Sequence, residues 1–472
     1  MLAAVLLLSL LAAVPEGGDL PRSSIAAKDL DKLGKDVAAF FDALDRQDTD
    51  LKAKGQQQSA LDSLTKAMTS LAKRAKLDSP LEAVGDWEYV LEVAKPDNKA
   101  VVGQAGKGFF RHQFVDKYNE NASTACLLSL PSTFGKAEQP LPAVVALKPP
   151  LGLKGAELEA KAKEMAAAMY ADLLETHIVL VPLGPETGAA GKGEIAEVGK
   201  SWFEDEGLRV MFTCFRVLLE EVPFDRSRVV LDGWGDAGLD ALRVATNLPS
   251  WFAGVVNRSG DPGGDTILFE NLGAIPLLYV NGKGDGRNAD VEALKARTDV
   301  AGGVTVVEEA GSAMAPSEEA RKAIAAWIGE RHRSLAPVAV HFKFAEPRFQ
   351  SADWIKATQV NRRKDSKPSD KDFPRVDAKA DRSANKVTID TVNVLELNVY
   401  LSDALVDLDK PVVFVVNGKE LPPQKFTRDL RAMLETRFNN ADGYYGLYPA
   451  SHLIERIDPN APAGESDKKK KP

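Results

Sequence analysis

Apolar residues recur at helical spacing near the N-terminus. Leu30, Leu33, Val37, Phe40, Phe41 and Leu44 mark one face, and Leu61, Leu64, Met68 and Leu71 a second. The polar stretch DLKAKGQQQS lies between them, so residues 24–100 are expected to hold a helical hairpin. From about residue 105 to 333 the texture changes to short apolar runs (ACLLSL, AVVAL, HIVLVPL, RVVLDG, FAGVVN, PLLYVNG, GVTVVEE). Several are separated by helical patterns such as GAELEAKAKEMAAAMYADLL, GLRVMFTCFRVLLEE and SEEARKAIAAWIGERHR. Alternating strands and helices predict an α/β unit with a mainly parallel sheet covered by helices on both faces. After Pro337 the runs VAVHFKF, KVTIDTVNVLELNVYL and PVVFVVNGKEL are rich in β-branched residues, and Asn417-Gly418 is a hairpin signal. Residues 336–458 are therefore expected to form a small, mostly antiparallel β domain, with the polar segment 361–385 as a long loop. Residues 459–472 are Pro-rich and charged, and read as a disordered tail.

The run Leu2 to Val14 is almost wholly apolar and is broken by Pro15, Gly17 and Gly18. A bilayer span needs roughly 20 residues, so this stretch is too short for a transmembrane segment and fits the apolar core of a signal peptide over residues 1–20. An exported protein, periplasmic, cell-surface or extracellular, is the expectation. The two cysteines, Cys126 and Cys214, both fall in apolar runs and are expected to be free and buried. Among 472 residues the net charge is -8 and no basic patch is interleaved with aromatics, which leaves nucleic-acid binding without support. No H-E-x-x-H, C-x-x-C or EF-hand spacing occurs, so no metal or cofactor is expected. The glycine-rich GQAGKG and GAAGKG lack the Gly-Lys-Ser/Thr ending of a phosphate loop.

Residues 228–245, RVVLDGWGDAGLDALRVA, resemble the strand–elbow–helix segment of secreted esterases and dienelactone-hydrolase-like members of the α/β-hydrolase superfamily. In that family a strand runs into G-x-S-x-G and then a helix, the nucleophile sitting on a sharp, strained turn. The resemblance implies a Ser-His-acid triad, and its positions can be followed one by one. An ungapped register puts Gly235 at the nucleophile. IPLLYVNGKGD puts Asp285 at the acid. The loop AGSAMAPSEEA, where the family carries its base, has no histidine and puts Met314 or a neighbour there. None of the five histidines lies between Ile178 and Arg331. The early strand AVVAL leads into Lys148-Pro149-Pro150, and proline has no N–H to offer an oxyanion.

The resemblance thus implies an esterase-like scaffold whose nucleophile and base are lost. In a Ser-His-Asp enzyme either loss costs on the order of a millionfold in kcat. A cleft at the strand ends would be lined by Lys148, Trp234, Asp236, Asp285 and Met314, and would bind a small molecule, a glycan or a protein. The alternative is an active ester hydrolase using other residues: Asp236, reached by shifting the register by one, or Ser259 after the next strand.

Overall fold

The computed structural model describes residues 27–45, 52–75, 81, 87, 90, 99–116, 122–135, 140–187, 193–263, 267–273, 275–286, 291–297, 300, 302–344, 346, 348–361, 367, 370–438 and 446–457. The apolar run 2–14 and the segment 459–472 lie outside them. Two helices, α1 (Ala27–Asp45) and α2 (Ala53–Ala75), form the hairpin. The turn is shorter than expected, because Ala53 to Ser59 already belong to α2. Leu33, Val37, Phe40 and Leu44 meet Leu64 and Met68 in one apolar cluster.

The α/β unit is built on a nine-stranded sheet. Its strands are β1 (Phe110–Asp116), β2 (Ala122–Ser129), β3 (Leu141–Leu147), β4 (Ile178–Thr187), β5 (Glu194–Ile195), β6 (Phe224–Trp234), β7 (Gly254–Arg258), β8 (Leu277–Gly282) and β9 (Val304–Glu309). The order is β1-β2-β4-β3-β6-β7-β8-β9, with β5 on the edge of β4. From β4 through β9 along this order the pairs are parallel, while β1/β2 and β2/β4 are antiparallel. Parallel strands are buried on both sides, which is why the sequence reads as near-continuous apolar runs. On one face Val229, Leu231 and Val255 pack with α4 (Asp205–Glu220) and α5 (Ala237–Asn247). On the other, Val230, Trp234 and Val256 pack with α3 (Gly155–Met169) and α6 (Glu318–Gly329). Cys126 and Cys214 are buried and free. Among the described residues no helix is long and apolar enough to cross a membrane.

The C-terminal region is two sheets closing on one core. One holds β10 (Ala339–Lys343), β13 (Arg375–Asp381), β14 (Lys386–Val392), β16 (Val413–Val416) and β17 (Lys419–Glu420); the other holds β11 (Ser351–Ala352), β12 (Ile355–Val360), β15 (Val394–Leu401) and β18 (Ala450–Ile454). KVTIDTVNVLELNVYL is two strands, not one. The chain changes sheets at Asn393, which adopts a φ of 55°. Asn417 and Gly418 both have positive φ, 47° and 76°, as a tight hairpin turn demands.

One expectation is corrected. The segment 361–385 is not all loop, since Arg375–Asp381 is a strand whose inward residues are Val376, Ala378 and Ala380. The region 336–458 also holds a helix that its β-rich pattern does not suggest, α7 (Leu430–Phe438), which sends Leu430, Met433 and Leu434 into the hairpin's cluster. Arg431 donates to Gln57 Oε1 (2.9 Å) and Gln58 Oε1 (2.8 Å) on α2.

The β domain is tied to the α/β unit by polar contacts. Asn271 Nδ2 donates to Thr246 O and Lys343 O, at 2.8 and 2.6 Å. His341 lies between Asp377 on its own sheet and Glu270 of the α/β unit (3.3 Å), and Lys343 Nζ sits 2.7 Å from Glu270. The hydrogen bond to Asp377, with its charge and that of Glu270, raises the imidazole above its ordinary 6.5 against the effect of burial. Burial opposes the Asp377 charge, but bonding to His341 wins and holds it below its ordinary 3.8. A raised folded value means that the His341 contribution is full below 6.5 and fades as pH rises through that folded value. The Asp377 contribution is full above 3.8 and fades as pH falls through its lowered value. The melting-temperature gap between wild type and His341→Gln is therefore expected to be widest between pH 3.8 and 6.5 and to shrink at alkaline pH. Calorimetry across pH reads this directly; a gap that grows with pH would contradict it.

Candidate functional site

β6 delivers Asp232, Gly233 and Trp234, and the chain then turns into α5. The left-handed dihedral of that turn falls on Gly235 (φ 53°), whereas Asp236 has an ordinary helical φ of -60°. The turn is close-packed. A Cβ on Gly233 would lie 2.4 Å from Ala237 O and 2.7 Å from Ala241 Cβ; one on Gly238 would lie 2.1 Å from Asn257 Oδ1. Gly235 N donates to Arg258 O (2.8 Å) and Gly238 N to Gly235 O (2.9 Å). This is the strand–turn–helix setting in which a nucleophile elbow is found.

A side chain at Gly235 would point at Met314: its Cβ would stand 3.3 Å from the thioether sulfur, 3.7 Å from Cε and 4.0 Å from Pro149 Cβ. Three segments therefore meet at one point, namely the elbow, the loop after β9 and the loop after β3. Asp285 joins them from the end of β8, where its Oδ2 accepts from Ala313 N (2.9 Å), the residue before Met314. A thioether is at best a weak acceptor and takes no proton at neutral pH. Glycine offers nothing to attack with.

The histidines lie elsewhere. His112 on β1 pairs with Glu221 (3.0 Å). His177, just before β4, bonds Thr176 Oγ1 (2.8 Å), and burial pushes its pKa down to about 4. His332 follows α6, His341 lies on β10, and His452 on β18 packs its ring against Phe414. Ser259 does not open onto the site: it is buried, accepts from Gly282 N (2.8 Å) and donates to Val280 O (3.3 Å). Asp236 is exposed at the start of α5. Among the described residues no group of three or more His, Cys, Asp and Glu is placed to hold a metal.

The loop after β3 differs from expectation. Lys148 does not line an open cleft; it is buried, with Nζ on Glu197 Oε1 at 2.5 Å. The same carboxylate accepts from Leu151 N and Gly152 N, both at 2.7 Å. Pro149 and Pro150 carry no amide hydrogen, and the next two amides face Glu197. Burial lowers the Lys148 pKa, with Glu197 opposing the shift. Burial pushes Glu197 upward, but the hydrogen bonds from Lys148 and Leu151 win and hold it below the usual range. Trp202 Nε1 donates to Lys148 O (2.7 Å), and Asp240 of α5 accepts from Trp202 N (2.7 Å), which laces this segment to the elbow helix. Glu197 has no sequence signature, because nothing local ties it to amides some 45 residues away.

Trp234 is also corrected. It is fully buried, not a cleft residue, because strand alternation puts it with Val230 on the face under α3. Its indole donates to Tyr170 OH (2.8 Å), and that hydroxyl donates to Asp232 Oδ2 (2.9 Å). Asp232 also accepts from Arg258 Nε (2.9 Å) and Nη2 (2.7 Å), with both residues buried. Burial, then the Asp232 charge, raises the Tyr170 pKa well above its usual range. The sequence carries a signal for this pair, namely opposite charges in or beside two apolar runs that become neighbouring strands. The β6/β7 register places Asp232 beside Val256, two residues from Arg258 on the same face.

No family model matches the chain, and no curated protein matches its sequence. Solved structures similar to it are esterases and serine hydrolases. A thermostable esterase is 18% identical over 48% of this chain and 64% of its own, with a TM-score of 0.35. The chain thus spans less than two thirds of that esterase. An S-formylglutathione hydrolase from Agrobacterium tumefaciens is 16% identical over 48% of this chain and 96% of its own, with a TM-score of 0.34. Est1E from Butyrivibrio proteoclasticus is 10% identical over 47% and 96%, with a TM-score of 0.33.

Proposed function

We propose that the chain is a non-catalytic α/β-hydrolase-like protein that keeps an esterase scaffold for binding or assembly. One observation carries this reading. Where the elbow would present its nucleophile there is Gly235, and the group 3.3 Å from the Cβ it lacks is the Met314 thioether. Glycine brings no attacking atom and the thioether takes no proton, so the nucleophile and base positions of an acyl-transfer step both lack an agent. Asp285, at the acid position that the resemblance implies, accepts from the Ala313 amide, and no histidine lies in the loop beside it. The dihedrals support the register, since the strained turn lies on Gly235 and leaves Asp236 in ordinary helical backbone. That disfavours Asp236 as nucleophile.

The test is turnover of short acyl esters by the purified chain. Wild type is expected at background, unchanged in Asp285→Asn. Robust turnover abolished by Asp236→Asn would overturn the proposal and make the chain an enzyme.

A further inference from the structure

Glu197 stands apart from the other acids near the elbow because of what surrounds it. Its side chain is about 10% exposed, and it receives Lys148 Nζ on one oxygen along with Leu151 N, and Gly152 N on the other. A cation and two convergent amides are what a carboxylate recognition site consists of. Lys148 is 1% exposed, and its ammonium group bonds Glu197 Oε1 and lies 6.0 Å from the centre of the Trp202 ring, so its charge is directed to this seat. Gly152 holds a φ of 68°, a left-handed conformation that glycine adopts without strain, and the chain beyond it brings a third amide, Leu153 N, to 3.4 Å from the same carboxylate. The seat adjoins the elbow, since Pro149, between Lys148 and these amides, is the third neighbour of the Gly235 position.

We propose that Lys148 and the amides of Leu151 and Gly152 form a monocarboxylate-binding site, which in the wild-type chain is occupied by the chain's own Glu197. The seat is then self-occupied: a carboxylate ligand enters only where Glu197 is out. This stands whether or not the elbow turns over esters, because it depends on the loop after β3 and not on Gly235.

The side chain itself supplies the test. Glu197→Ala removes Cγ, Cδ and both carboxylate oxygens, the same four heavy atoms that make up acetate. Acetate is therefore the probe, with chloride at equal ionic strength as control. Glu197→Ala is expected to melt below wild type and to recover saturably with acetate. At ten times its Kd, acetate raises the apparent folding constant about 11-fold. That is a shift of roughly 3–5 °C for a unit of this size. Amides in the 151–152 peptide should exchange quickly in the variant and slowly once acetate is added. Wild type, whose seat is filled, and Glu197→Gln, which fills the same space without charge, should not respond to acetate. If Glu197→Ala folds only in acetate, refolding yield in acetate against chloride gives the same answer. The proposal fails if chloride stabilises as well as acetate, if Glu197→Gln responds equally, or if Glu197→Ala folds in neither salt.

Discussion

Asp232→Asn is expected to lower the stability of the α/β unit by about 3–5 kcal/mol, the cost of leaving one partner of a buried ion pair uncompensated. The site allows no escape. Arg258 is fully buried, its Nη1 already lacks a hydrogen-bond partner, and the carboxylate is its counter-charge through Nε and Nη2. Asparagine keeps the shape but brings an amide donor toward a guanidinium, so at most one acceptor remains. The Tyr170 hydroxyl loses a charged acceptor in the same step. Exchanging both charges, as Asp232→Leu with Arg258→Met, should recover most of the loss, because an apolar pair of similar volume is often as stable as a buried ion pair. Urea unfolding followed by tryptophan emission reads both variants. An Asp232→Asn protein within about 1 kcal/mol of wild type would show that the pair is solvated or dispensable.

Gly233→Ala and Gly235→Ala should differ sharply, although the two glycines are two residues apart. At Gly233 the new methyl meets backbone: Ala237 O at 2.4 Å and Gly238 Cα at 2.7 Å. Neither can retreat without moving α5, so the expected cost is about 3 kcal/mol, the upper part of the overpacking range. At Gly235 the nearest atoms belong to the flexible Met314 side chain, at 3.3 and 3.7 Å, and the remaining penalty is the left-handed backbone, about 1–2 kcal/mol. Thermal unfolding of the two variants side by side gives the order. A larger loss at Gly235 would mean that the elbow strain, and not the strand–helix contact, dominates this turn.

The parts of the fold legible in sequence are those in which burial repeats locally. The strands of the parallel sheet were readable because both faces of each are covered, and α3 to α6 because their apolar stripes have a 3.6-residue period. The resemblance marks the turn at Gly235, while the close packing around Gly238 is seen only in the structure. β13 was hidden because its inward residues include two alanines among charges, which reads as loop. α7 was hidden inside a β-rich region, although Leu430, Met433 and Leu434 have helical spacing and pack on the distant hairpin. In the site, Gly235, Met314 and the loop carrying Asp285 were placed by resemblance, and the structure brings them together. Trp234 does stand at the end of its strand, where a cleft is expected, but strand alternation turns its side chain inward under α3. Glu197 depends on a tertiary contact across 45 residues that no local pattern encodes, whereas Asp232 and Arg258, 26 residues apart, are each visible as a charge in or beside an apolar run but are paired only by the strand order.

Covalent labelling separates a Gly235 turn without nucleophile or base, as proposed above, from a working serine hydrolase. Wild type and two variants, Gly235→Ser and Gly235→Ser with Met314→His, are incubated with a fluorophosphonate and followed by intact mass. No adduct is expected on wild type, and only background on Gly235→Ser, whose hydroxyl would lack a base at Met314. The double variant should label slowly at position 235, because the Met314 sulfur already lies within hydrogen-bond reach of that side chain's path. A stoichiometric adduct on the wild-type chain would reveal a nucleophile and overturn the proposed non-catalytic role.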